Sequence, residues 1–163
     1  MRLYKIVLVA VFTVVVSFSN SALALNLSVI GPCDQRPQLT AYVDLELKQE
    51  VTLGDLTVKV LNANRIPFKG DVDGIAQIFD SPMGIDAKEI LNSTQMRAYG
   101  WCVHVDNEEP ADMPDKVVIT ARVKNIIWFY AYSLYSNGTW MDYCTPSWKV
   151  HSIKYCKILK STK

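Results

Sequence analysis

The side chains that could do chemistry in this chain are few and scattered. It has two histidines, His104 in an alternating segment and His151 near the C-terminus. A metal site built on either would have to recruit acids such as Asp106 or Asp142. Glu108 and Glu109 form a carboxylate pair, but they adjoin a turn before Pro110 and read as a solvated acidic rim. Asp71, Asp73 and Asp80 lie in a Gly- and Pro-rich stretch. Their spacing is an incomplete calcium loop without its closing glutamate, so they read as loop acids. No G-x-S-x-G, H-E-x-x-H or P-loop occurs. The chain is therefore expected to be non-enzymatic, with no catalytic residue, no metal and no cofactor supplied by a motif of its own.

Cys33, Cys102, Cys144 and Cys156 match no zinc spacing and contain no C-x-x-C pair. An even number in an exported chain predicts two structural disulfides, and three connectivities are open. Oxidised thiols also remove a cysteine nucleophile. Export is read from the first 24 residues, 1–24. Arg2 and Lys5 precede an apolar run over Ile6–Phe18, and Ala22-Leu23-Ala24 is a small-x-small cleavage site. The run is short for a span of ~20 residues. A cleaved signal, a mature start at Leu25 and a periplasmic or secreted location follow, with no membrane insertion after cleavage. Removing 24 residues from 163 leaves 139, one domain's worth. The mature net charge is −1, since the signal holds two of 17 basic and none of 16 acidic residues. That balance is no nucleic-acid footprint. Asn26, Asn92 and Asn137 begin N-x-S/T sequons, which matter only in a eukaryotic secretory pathway.

Alternating apolar residues predict strands over Leu25–Ile30 and Leu39–Lys48, joined as a hairpin through Gly31-Pro32-Cys33-Asp34. Thr52–Asn64 fits both periods. Thr52 with Asp55 resembles a capping box and Pro67 lies just beyond, so a helix is expected. The following Gly/Pro/Asp-rich stretch is expected to hold a helical turn at Gly74–Phe79, and Lys88–Leu91 a short strand or helical turn. Further strands are expected at Met96–Asp106, at Lys116–Lys124, and at Asn125–Tyr135, with a turn at Ser136-Asn137-Gly138 and a return strand through Trp140 and Tyr143.

The segment Asn125–Tyr135 reads as a central strand. Ile127, Phe129 and Ala131 point one way, and Trp128, Tyr130, Tyr132 and Leu134 the other. Two readings of its aromatics are open. They pack the core, or they line a sheet face left uncovered by a single helix. On the second reading Trp128, Tyr130, Tyr132 and Trp140 are candidate ligand-binding residues.

Gly100, Trp101, Val105 and Asp106, followed by Ile126, Trp128, Phe129 and Tyr130, carry a resemblance. With the opening hairpin and the TLGDLTVKVL and IPFKG segments, they resemble the transcobalamin C-terminal-like domain over Leu25–Tyr135. That group is largely of unknown function. One departure is the turn Asp106-Asn107, where the family has Asn-Gly or Asp-Gly; Asn also accepts positive φ. The resemblance implies an α+β, β-grasp-like mixed sheet on one main helix, a domain over 25–145 and a disulfide-linked C-terminal tail over 146–163. Its implied topology pairs Cys102–Cys144 and Cys33–Cys156. It also implies a soluble ligand as partner, a corrinoid among the options, against the alternative of an envelope protein or glycan.

Overall fold

The computed structural model describes residues 24–45, 50–150 and 152. Residues 1–23, on which the expected export signal falls, lie outside the described residues, as do His151 and Cys156.

The chain folds as α+β with strands predominating. Strand β1 (Ala24–Ile30) runs antiparallel to β2 (Pro37–Asp44), as the alternation required. Strand β3 (Val51–Thr52) leads into helix α1 (Leu53–Ala63). Thr52 Oγ1 accepts the Asp55 N–H at 3.0 Å and donates to Asp55 Oδ2 at 2.7 Å, which fixes the helix start. Its end turns through Arg65 at φ 56°, with Ile66 N–H bonded to Leu61 O at 2.9 Å.

The expected helical turn at Gly74–Phe79 is instead a strand. Strands β4 (Phe68–Gly70) and β5 (Ile75–Ile78) form a hairpin. Asp71 Oδ1 accepts the Asp73 N–H and the Asp71 N–H donates to Gly74 O, so Asp71 closes the turn. Strand β6 (Lys88–Asn92) then pairs with the long β7 (Gln95–Val105).

The strand expected over Lys116–Lys124 shrinks to β8 (Val118–Ile119) paired with β3. Burial still alternates there, with Ile119 and Ala121 buried and Val118 and Arg122 exposed. The backbone leaves the ladder because Val123 N–H turns back to Thr120 O at 3.0 Å. Alternating burial reports which side faces the core, not whether a neighbouring strand exists.

Strand β9 (Asn125–Ser136) is central, as expected. It lies parallel to β1 and antiparallel to β7 and to β10 (Thr139–Pro146). Among the described residues the main sheet has six strands, in the order β2-β1-β9-β7-β6 with β10 on β9 beyond the end of β1. One face sends Leu27, Val29, Ile126 and Trp128 against Leu53, Leu56, Val60 and Leu61 of α1, and all are buried. No described helix is long and apolar enough to cross a membrane.

The other face is partly closed by the segment after β10. Residues 142–144 bulge opposite Ser133 alone, with Cys144 at φ 50°. The bulge brings Cys144 to Cys102, and the disulfide Cys102–Cys144 has a Cα–Cα separation of 5.8 Å. A 3-10 turn at Ser147–Lys149 seats buried Ser147 Oγ at 2.8 Å from Tyr130 O and 2.9 Å from Pro32 O. Trp148 meets Phe129 edge-on at 6.0 Å. The boundary expected at 146 thus falls where the chain is still docked on the sheet. Cys33 is disulfide-bonded too; the Cys156 half of the expected Cys33–Cys156 pair lies outside the described residues.

Candidate functional site

The turn between the two motif strands is built as its residues require. Asp106 and Asn107 have φ 49° and 73°, the pairing of a two-residue hairpin turn closed by Val105 and Glu108. Asp106 Oδ1 accepts the N–H groups of Lys124 and Asn125 at 3.0 and 2.8 Å, which docks the start of β9 beside the turn.

The four aromatic candidates do not share a surface. Trp128 is 2% exposed, and its Nε1 donates to Thr57 Oγ1 of α1 at 2.9 Å. Tyr130 is fully buried and its hydroxyl donates to Pro82 O at 2.8 Å. Trp101 Nε1 donates to Ser81 Oγ at 2.9 Å. The segment around Ser81–Pro82 therefore covers the part of the sheet that α1 does not reach, so at Trp128 and Tyr130 the aromatics pack the core and the open face of the second reading is closed. Tyr132 is half-buried, with the Arg97 guanidinium 5.1 Å from its ring. Trp140 lies elsewhere, 5.3 Å from Tyr135 on the opposite face. Paired positions continue that row as Trp140, Tyr135, Met96 and Ile90 across four strands.

A partly buried polar cluster lies beside Tyr132. Glu89 accepts hydrogen bonds from Tyr99 at 2.6 Å, Arg97 at 3.2 Å and Ser152 at 3.0 Å. Burial pushes the Glu89 carboxyl up, but the hydrogen bonds from Tyr99, Ser152 and Arg97 outweigh it and hold it below its ordinary range. Burial, then the neighbouring Glu89, push the Tyr99 phenol well above its ordinary value, so it stays a donor. Each Glu89 oxygen is engaged by groups of the protein itself, which makes the cluster a clasp between β6, β7 and the chain at Ser152.

Sequence reasoning missed the concave site. A groove of about 600 Å³ runs along the outer edge of β7. Its floor is Trp101 and Val103, with the edge of Trp128 behind. One wall is the start of β5 at Gly74–Ala76, and the other is Pro110–Pro114. The Cys102–Cys144 disulfide closes one end, with the Glu109 carboxylate 3.2 Å from Cys144 Sγ. A disulfide sulfur has no proton to donate, so this is packing and not a hydrogen bond.

Both walls are held by the first turn of α1. Leu53 N–H donates to Val117 O at 2.8 Å and Gly54 N–H to Pro114 O at 2.9 Å. On the other side, a Cβ at Gly54 would overlap the Val72 carbonyl in the β4–β5 turn. Gly54 is the point where helix and both walls meet. Its trace in the sequence was a glycine inside a helical pattern, a costly placement that needs a close backbone approach to justify it.

The remaining residues weighed for chemistry do not converge. His104 packs edge-on against Phe129 at 4.7 Å, on the sheet face opposite Trp128. Glu108 and Glu109 are exposed at the turn, and Asp71 and Asp73 serve the β4–β5 turn. Among the described residues no group of three or more His, Cys, Asp or Glu side chains is arranged to hold a metal ion. No family model, curated protein or solved structure matches this chain.

Proposed function

We propose that this chain is a small exported, non-enzymatic binding module that takes its ligand in the groove along β7. The groove itself carries the reading. Its volume of about 600 Å³ is that of a ligand site, and its floor and walls are mainly apolar with charged residues at the rim. Two indoles, Trp101 and Trp128, are locked in place by hydrogen bonds to Ser81 and Thr57, so the floor is rigid before a ligand arrives. Export rests on the N-terminal pattern, and the disulfide is consistent with it.

A β-grasp-like reading of the fold goes with this. What supports it is a single described α-helix on the sheet, and strand β1 running parallel to β9 with the pair flanked by β2 and β7. The kinship with transcobalamin C-terminal-like domains is likewise a proposal, resting on the Gly100–Asp106 and Ile126–Tyr130 motifs.

A second reading, an envelope protein or glycan contact, is favoured by the row Ile90, Met96, Tyr135 and Trp140. Ile90 is 69% and Trp140 39% exposed.

The test is an NMR titration that follows the backbone amides and the Trp101, Trp128 and Trp140 indole N–H signals while cyanocobalamin and a panel of small apolar compounds are added. A groove ligand shifts Trp101 and loses its effect in Ala111→Trp, which fills the exposed side of the groove. Shifts confined to Trp140 and Tyr135 would transfer the function to the second surface.

A further inference from the structure

We infer that the groove takes an extended polypeptide, added as a strand to the outer edge of β7; this rests on the groove being the binding site. Alternate residues of a strand send their N–H and C=O to opposite sides. On β7, Tyr99 N–H points outward to Ala87 O and Val105 N–H outward to Glu108 O, each at 2.9 Å. Trp101 and Val103 have the same parity, so their N–H and C=O groups also point outward, into the groove. Among the described residues nothing pairs with these four groups. They present donors and acceptors at a repeat of roughly 7 Å, the two-residue spacing of a strand. A peptide backbone matches that pattern along its whole length.

The sequence explains why the chain's own return segment leaves the edge open. Val105 pairs with Glu108 in an isolated bridge. Continuing that register would place Pro110 opposite Val103. Proline has no N–H to give, so the ladder stops after one pair and residues 110–114 stand off as a wall. Glu109 and Asp112 against the single Lys116 leave the lining acidic, which favours a basic peptide. The exposed Met113, 56% accessible, gives that wall an adaptable apolar contact.

The experiment is a titration of the isotope-labelled mature protein with the peptide acetyl-KVKVTVKVK-amide. Three controls are its fully N-methylated form, its counterpart with Glu for Lys, and the fluorescent apolar probe 1-anilinonaphthalene-8-sulfonate. The expected result is at least tenfold slower exchange of the Trp101 and Val103 amides with the peptide. The methylated and acidic forms should bind at least tenfold more weakly. In Pro110→Val, where the chain can pair with its own edge, the Val103 amide should be protected without peptide and peptide binding lost. Equal binding of the methylated form, or binding that leaves both amides unchanged, overturns the inference. If the peptide fails while the probe still shifts the Trp101 indole, the groove remains a site and its peptide specificity is refuted. If neither perturbs the groove, both readings fall.

Discussion

The indole N–H of Trp128 donates to the hydroxyl of Thr57 at 2.9 Å, and this buried bond joins the central strand to the only α-helix described. Thr57 passes the interaction on by donating to Leu53 O at 2.7 Å. Replacing Thr57 by Val keeps the shape and strands the indole donor. The expected loss is about 1–3 kcal/mol in urea unfolding. Thr57→Val combined with Trp128→Phe should cost less than the sum of the two, since the second change removes the stranded donor. Full additivity would mean that the bond contributes nothing.

Gly54 should be a positioning residue for the groove. Gly54→Ala improves helix propensity by about 1 kcal/mol, yet its Cβ must displace the Val72 carbonyl. The expected outcome is a less stable protein with shifted amides along 71–76 and weakened groove binding. A gain in stability with unchanged spectra would show that the β4–β5 turn is not held against the helix.

The Cys102–Cys144 bridge closes a 42-residue separation. Chain-entropy reasoning gives it up to about 4 kcal/mol. Paired Cys102→Ser and Cys144→Ser changes should lower the denaturation midpoint accordingly. They should also loosen the β10 bulge, visible as line broadening over 142–146, while the α1 signals stay put.

Glu89 makes stability fall in acid. Its folded carboxyl titrates below its ordinary range, despite burial, because Tyr99, Ser152 and Arg97 hold the anion. The unfolded chain thus takes up the proton first as pH drops. Its contribution is fully present above about pH 4.3 and is lost as pH falls through the lower folded value. Glu89→Gln should remove that part of the acid dependence, measured as urea midpoints between neutral pH and the acid limb. An unchanged slope would assign the acid sensitivity to other carboxylates.

The parts of the fold written in local patterns could be read from the sequence. Thr52 and Asp55 announced the helix start, and the alternation of Leu25, Leu27 and Val29 announced β1. The turn at Asp106-Asn107 came from the family resemblance, and the structure gives both residues positive φ. What failed was set by tertiary partners. Val118 and Ile119 pair with β3, but the Thr120–Val123 turn ends the strand that the alternation suggested. Trp128 and Tyr130 looked alike to any one-strand reading of an exposed face. Only the placement of α1 and of the Ser81–Pro82 segment shows that both are covered. The groove depends on Gly54 meeting Val72 and on Pro110 falling opposite Val103, relationships that exist only once the hairpins are in register.

The most direct test of the open edge is amide hydrogen exchange on the free protein. The Cys102 and His104 amides point toward β9 and should be strongly protected, being opposite Phe129 and Ile127 in the central ladder. The Trp101 and Val103 amides should exchange at least ~100-fold faster, as groups outside the ladder do. Equal protection of all four would mean that the edge of β7 is already occupied, contradicting the strand-addition account.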